Sequence, residues 1–324
     1  MNRRESVLAL LALCAAPPAA QAQGAAIPRI GVLTIGQTTN AIRDGFRLGL
    51  RDRGYVEGQN IIVEWRTIDE SAGQAERARE YALELIRMKV DVIVATPTPA
   101  VRAAKDATNT IPIVMAPAGD PLATGLISSL ARPGGNVTGI ANIAAELGGK
   151  LLQLIVELRP AITRVAVLVD ASNPFSRAFR EQIQAGAATV GVQVLPVVVR
   201  SPEDLDAAFK TMAKERVGGV VVQPLIATKR VADLANQNRI LSITTGIANA
   251  FPELGGLMSY GANPADNYRH AAVFVDKILK GAKPADLPVE QPTQFELVIN
   301  RKTAKVLGID IPHSMLLRAD RVIE

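Results

Sequence analysis

The order of the apolar segments constrains this chain more than any other feature. From residue 28 onward, short Val/Ile-rich runs alternate with longer segments whose apolar residues recur at helical spacing. Residues 30–34, 90–95, 111–116 and 136–140 read as strands, mostly buried on both faces, and 61–66 as an alternating strand. Between them, 41–53 carries Ile42, Phe46 and Leu50 on one helical face. Gly45 and Gly49 lie near that stripe, which predicts close approach of this helix to a sheet. A capping box at Ser71-Ala72-Gly73-Gln74 opens a second helix, with Ala78, Ala82, Leu85 and Ile86 inward.

After Ala141-Asn142 the alternation restarts. Helices are predicted at 147–158, 175–190, 202–215 and 228–238, and strands at 164–169, 192–199, 219–223, 241–244 and 257–260. Such βα alternation requires parallel sheets covered by helices on both faces. The chain is therefore read as α/β, with two Rossmann-like, doubly wound lobes and a hinge: 28–141 and 142–261. The remainder holds one helix, a passage with Pro284, Pro288 and Pro292, a strand at 295–300 and a short helix. It is expected to cross between the lobes, part of 262–290 joining the first and part of 291–324 the second.

Ahead of this lies Met1-Asn2-Arg3-Arg4, an apolar run over 6–16, and small residues at Ala20 and Ala22. This is the layout of a cleaved export signal, residues 1–22, and places the mature protein in the periplasm. Leu13 before Cys14 argues against lipid attachment. Cleavage removes the only cysteine, so no disulfide or Cys-based metal site is expected.

Other chemistries are excluded in the same way. With 36 Lys+Arg against 31 Asp+Glu the chain lacks a strong basic field, and Asp44 and Asp52 interrupt the Arg43, Arg47, Arg51 stripe. No nucleic-acid partner is expected. There is no Gly-x-Ser-x-Gly, and Gly148-Gly149-Lys150-Leu151 lacks the upstream Gly and the Ser/Thr of a P-loop. Thr34-Ile35-Gly36-Gln37 stands where a dinucleotide-binding chain would carry its glycine fingerprint. His270 and His313 have no nucleophile near them in sequence. The chain is read as no enzyme, without metal or cofactor.

Ligands of open α/β sheets bind at the carboxyl ends of strands, where helices begin. Several helix starts here pair a capping residue with proline: Thr98-Pro99, Asp120-Pro121, Asn173-Pro174, Ser201-Pro202 and Asn263-Pro264. Thr34, Thr96, Pro97 and Thr98 end the first and third strands; their hydroxyls and the helix-start amides suit a ligand carboxylate. Asp120 suits an ammonium group, and Asn173 would face the first lobe across a cleft. Capping alone accounts for these residues equally well. Phe175, Tyr260, Tyr268 and Trp65 are aromatics at possible cleft edges.

Several stretches carry a family resemblance. They are Phe46-Arg47-Leu48-Gly49-Leu50-Arg51-Asp52-Arg53-Gly54-Tyr55-Val56-Glu57-Gly58-Gln59-Asn60, Asp120-Pro121, Leu130-Ala131-Arg132-Pro133-Gly134-Gly135-Asn136-Val137-Thr138-Gly139, Ser259-Tyr260-Gly261, and the tail at 287–300 with Arg318-Ala319-Asp320. The chain resembles the ABC-transporter substrate-binding proteins related to tryptophan/tyrosine-binding lipoproteins, over essentially its whole mature length. The resemblance implies a type I periplasmic-binding fold, with three crossovers between lobes. It implies ligand contacts from Thr96–Thr98, Asp120, Asn142, Asn173 and Tyr260, a small-molecule ligand such as an amino acid or related carboxylate, a monomer, and an inner-membrane ABC permease as partner. The chain departs from the lipoproteins at Leu13 and is only 4% aromatic. A sensor module, or an enzyme on the same scaffold, would share these features.

Overall fold

The computed structural model describes residues 27–36, 38–68, 73–142, 145–245 and 250–324, with side chains from 147 in the fourth segment. The export signal and the Ser71-Ala72 half of the capping box lie outside the described residues.

The first lobe contains β1 (Arg29–Ile35), α1 (Asn40–Arg51), β2 (Ile62–Ile68), α2 (Gln74–Arg87), β3 (Val92–Thr96), α3 (Thr98–Ala107), β4 (Ile113–Gly119) and β5 (Val137–Asn142). Its strands form one parallel sheet in the order β2-β1-β3-β4-β5. Every residue of β3 is buried, as a two-sided strand requires. The second lobe contains α4 (Ala145–Leu158), β6 (Arg164–Asp170), α5 (Ser176–Val190), β7 (Gln193–Val199), α6 (Leu205–Lys214), β8 (Gly219–Val222), α7 (Lys229–Gln237), β9 (Leu241–Thr244) and β10 (Met258–Gly261). Then follow α8 (Pro264–Leu279), β11 (Glu296–Asn300), α9 (Arg301–Val306), α10 (His313–Arg318) and β12 (Arg321–Ile323). The second sheet runs β12-β11-β10-β9-β8-β6-β7. The run β7-β6-β8-β9-β10 repeats the winding of the first sheet. β11 is antiparallel to β10, and β12 is parallel to β11.

The chain passes between sheets three times. It leaves the first after β5 and enters α4. It leaves the second after β10 and enters α8, which packs on α1 and β4 of the first lobe. It leaves again near Glu290, whose backbone N–H and C=O pair with Gly139 and Ala141 at 2.9 Å each, before β11.

The two crossing helices do the same job in each lobe. Leu151, Leu152, Leu154 and Ile155 of α4 fill the second-lobe core. Tyr268, Ala271, Phe274 and Val275 of α8 fill the face of the first sheet that also receives Phe46 of α1. Each crossing helix lies against the helix that follows its lobe's first strand, α8 on α1 and α4 on α5. Glycine makes both contacts. A Cβ on Gly49 would sit 2.3 Å from the Arg269 carbonyl oxygen, and one on Gly148 2.4 Å from that of Gln182. So Gly45 and Gly49 permit approach to another helix, where the sequence suggested a sheet. Gly148-Gly149-Lys150 is a helix-packing surface.

Three proline-led starts differ from expectation: Asn173-Pro174 lies ahead of α5, which begins at Ser176 after the turn at Pro174-Phe175. Pro97 takes the cap position of α3, and Thr98 is its first helical residue. Asp120-Pro121 opens no helix: Asp120 has φ of +27° and begins a turn. Its carboxylate accepts from the Ala123 amide at 2.9 Å, which satisfies the turn locally.

Gly-to-Ala in an exposed helix interior gains about 1 kcal/mol. At Gly49 the sign should reverse, because the added methyl meets backbone; Gly49→Ala is expected to cost about 1–3 kcal/mol. Urea unfolding of the variant checks this, and a midpoint at or above wild type would contradict the packing described.

Candidate ligand-binding site

A cavity of about 490 Å³ lies between the lobes. The strand ends of both sheets converge on it, as parallel winding requires. From the first lobe come Ile35 at the end of β1 and Gly36 after it, Thr39 and Ile42 at the start of α1, Pro97 and Thr98 at the start of α3, Gly119 of β4 and Asn142 of β5. From the second come Asn173 and Phe175 after β6, Gln223 and Leu225 after β8, and Phe251 and Leu254 of the segment following β9. The crossovers add Asn263 to Ala265, Glu296, Asp320 and Arg321. The size and the mostly apolar wall with a few polar groups suit a small organic molecule.

The polar groups are ordered by their surroundings. The Thr39 hydroxyl caps α1 by accepting from the Ile42 amide at 3.4 Å. The Thr98 hydroxyl accepts from the Gly119 amide at 2.9 Å, tying the start of α3 to the end of β4. Asn173 is 7% exposed, and its side-chain oxygen accepts from the Phe175 amide at 2.9 Å. At the crossover side the charges are paired: Arg321 with Glu253 at 2.6 Å, Glu296 with the Asn263 amide at 2.9 Å, and Asp320 with the Leu297 amide at 2.7 Å. The two helix starts of the first lobe remain as a diffuse positive field favouring an anionic group.

Of the residues singled out in the sequence, Pro97, Thr98, Asn142, Asn173 and Phe175 line this cavity. Four others do not. The Thr34 hydroxyl is held by Thr38 at 2.8 Å and Thr67 at 3.3 Å. The Thr96 hydroxyl donates to the Pro117 carbonyl at 2.7 Å, so it ties together the backbones that carry the Pro97 and Pro117 wall. Both Asp120 oxygens are engaged, one by Ala123 and one by Gln182 at 3.4 Å on the opposite lobe. Tyr260 stacks on Phe295 with centroids 5.9 Å apart and packs against the second-lobe core. Trp65 and Tyr268 belong to the core under α1 and α8: Phe46 meets both edge-on, and the Arg43 guanidinium lies 4.6 Å over Trp65. Burial pushes the Tyr268 hydroxyl far above its ordinary range, so it stays protonated.

Sequence reasoning missed Gln223, Phe251 and Thr39. Gln223 had a signal: a polar residue directly after the apolar run Val220-Val221-Val222 sits at a strand carboxyl end. Phe251 lies in an irregular segment where periodicity says nothing.

The lobes also touch beyond the cavity. The Phe175 ring lies against Gly119; a Cβ there would be 2.6 Å from its Cδ1. Leu225 of the second lobe packs against the first-lobe core. With Asp120 and Gln182 these contacts describe a closed arrangement.

The model of the family described as ABC transporter substrate binding protein matches residues 29–323. The chain belongs to this family. It is 27% identical over 270 residues to a tyrosine-binding protein of Clostridioides difficile, covering 82% of this chain and 76% of the relative. A conserved domain protein of Vibrio cholerae superposes with a TM-score of 0.83 at 27% identity, covering 91% of this chain and 99% of that one. An ABC domain from Streptococcus pneumonia in complex with L-Trp superposes at 0.81 with 28% identity, over 91% and 99%. These likenesses span both lobes and the crossovers of this substrate binding protein.

Gly119→Val should push the Phe175 ring aside and weaken the closed arrangement by about 1–3 kcal/mol. Small-angle scattering of the variant is expected to give a larger radius of gyration than wild type. An unchanged radius would mean the contact does not hold the lobes together.

Proposed function

We propose that this protein is the solute receptor of an ABC importer, exported to the periplasm by residues 1–22, where it captures an amino acid and presents it to an inner-membrane permease. The single observation that carries this reading is the shape of the cavity. Its walls come from both lobes, so an occupant that touches both biases the open–closed equilibrium toward the closed form.

The chemistry narrows the ligand. Phe175, Phe251, Leu225 and Leu254 offer an apolar compartment for a side chain, and ring faces for stacking. The starts of α1 and α3 offer a positive field for a carboxylate. With Asp120 held by Ala123 and Gln182, the acidic side chains on the cavity wall are Glu253, Glu296 and Asp320, beside the crossovers. A ligand carrying both charges would then lie with its carboxylate toward the first lobe and its ammonium toward the crossovers. An amino acid with an apolar or aromatic side chain meets all three demands. The C. difficile relative named for tyrosine and the S. pneumonia structure with L-Trp support this class.

Thermal-shift measurement against individual amino acids, after refolding to strip any carried ligand, tests the reading. A ligand at a thousandfold excess over Kd adds about 4 kcal/mol to folding stability. In a chain of this size that is roughly 5–10 °C in Tm. L-tyrosine or L-tryptophan is expected to give such a shift, and acidic amino acids none. No shift with any amino acid would overturn the proposal.

A further inference from the structure

Gln223 is fully buried and lines the cavity. Its side-chain oxygen accepts from the Asp170 backbone amide at 2.9 Å, with the Ser176 hydroxyl 3.1 Å away. A backbone N–H can only donate, so this bond fixes which end of the carboxamide is the oxygen. The Nε2 end is buried and has no hydrogen-bond partner. Among the described residues it is the one buried side-chain polar atom without a partner that belongs to a cavity-lining residue.

A buried donor left unpaired costs about 1–3 kcal/mol, and native structures rarely keep one without a use. Here the carboxamide has no freedom to turn away, because its oxygen is anchored. Its neighbours place it beside the lobe contact: Ser176 follows Phe175, whose ring lies on Gly119, and Gly119 is bonded to Thr98. Gln223 thus belongs to the second-lobe wall, near the helix-start field of the first lobe.

We propose that Gln223 is a specificity-determining residue of the cavity, whose Nε2 donates to an oxygen acceptor of the ligand, a carboxylate or carbonyl oxygen. This rests on the reading of the cavity as an amino-acid site. It adds a requirement to that reading: the ligand must present an acceptor to the second lobe, and a molecule of the same shape with a donor there is rejected.

The test uses the mature full chain, stripped of ligand, and isothermal titration with L-tyrosine and L-tryptophan at about pH 8 and about pH 5. Gln223→Glu keeps the oxygen that Asp170 anchors and turns the free end into an acceptor. Burial raises the new carboxyl above its ordinary range, so lowering the pH from about 8 to about 5 shifts it toward the protonated form. Its proton resides on the outer oxygen and restores a donor. We expect binding about 10- to 100-fold weaker than wild type at about pH 8, and within about threefold at about pH 5. Gln223→Met, which removes the donor together with the oxygen that Asp170 anchors and adds no charge, should bind about tenfold more weakly at both pH values. A purely structural role would give no pH rescue in Gln223→Glu. If wild type binds and both variants match it at both pH values, the inference is overturned while the amino-acid reading stands. If wild type binds neither amino acid, that reading fails and the inference falls with it. Should Gln223→Glu fail to fold, undiminished binding by Gln223→Met alone overturns the inference.

Discussion

Each lobe of this protein needs a helix that it does not supply in sequence. A parallel sheet is apolar on both faces, and both faces must be covered. In the first lobe, α2 and α3 cover one face, and α1 covers only part of the other. The rest is closed by α8, which arrives from the second lobe. In the second lobe, α4 arrives from the first and supplies Leu151, Leu152, Leu154 and Ile155 to the core. Neither core is complete without a segment that enters directly from the other lobe. This interlocking fixes three chain crossings among the described residues, and they connect the two lobes covalently.

The position of the cavity follows from that arrangement. Both sheets wind in the same order, and their strand carboxyl ends meet on the same side of the crossings. The starts of α1 and α3 therefore confront the loops after β6 and β8. Close helix contacts at Gly45 and Gly49 on one side, and at Gly148 and Gly186 on the other, hold each crossing helix near its partner's backbone. The crossings also carry a polar set of their own: Arg269 with Asp52 at 2.8 Å and His270 with Glu290 at 2.5 Å. These exposed pairs contribute little individually to stability.

The fold was largely legible because burial writes itself into periodicity. Ile42, Phe46 and Leu50 fall on one helical face, and the runs at 92–95 and 219–222 are apolar throughout, so element type and winding could be read without coordinates. The site was legible only in part. Thr98, Asn142 and Asn173 sit at strand ends, where the winding rule alone selects them. Asp120 obeyed the same rule, yet the left-handed backbone after β4 spent its carboxylate on a turn and on Gln182. Trp65 and Tyr268 had the residue types of a stacking site, but their places depend on α8 crossing from the other lobe, a long-range contact that no local pattern encodes. Gln223 follows the apolar run at a strand end, but its open donor appears only once Asp170 is seen holding the other end.

The central claim is that one molecule is gripped by both lobes at once, and amide hydrogen exchange with and without L-tyrosine or L-tryptophan reads this most directly. Slowed exchange is expected together at the starts of α1 and α3 and in the loops after β6 and β8, since both walls lose their opening fluctuations when the cavity is filled. Protection restricted to the amides of a single lobe would contradict the account.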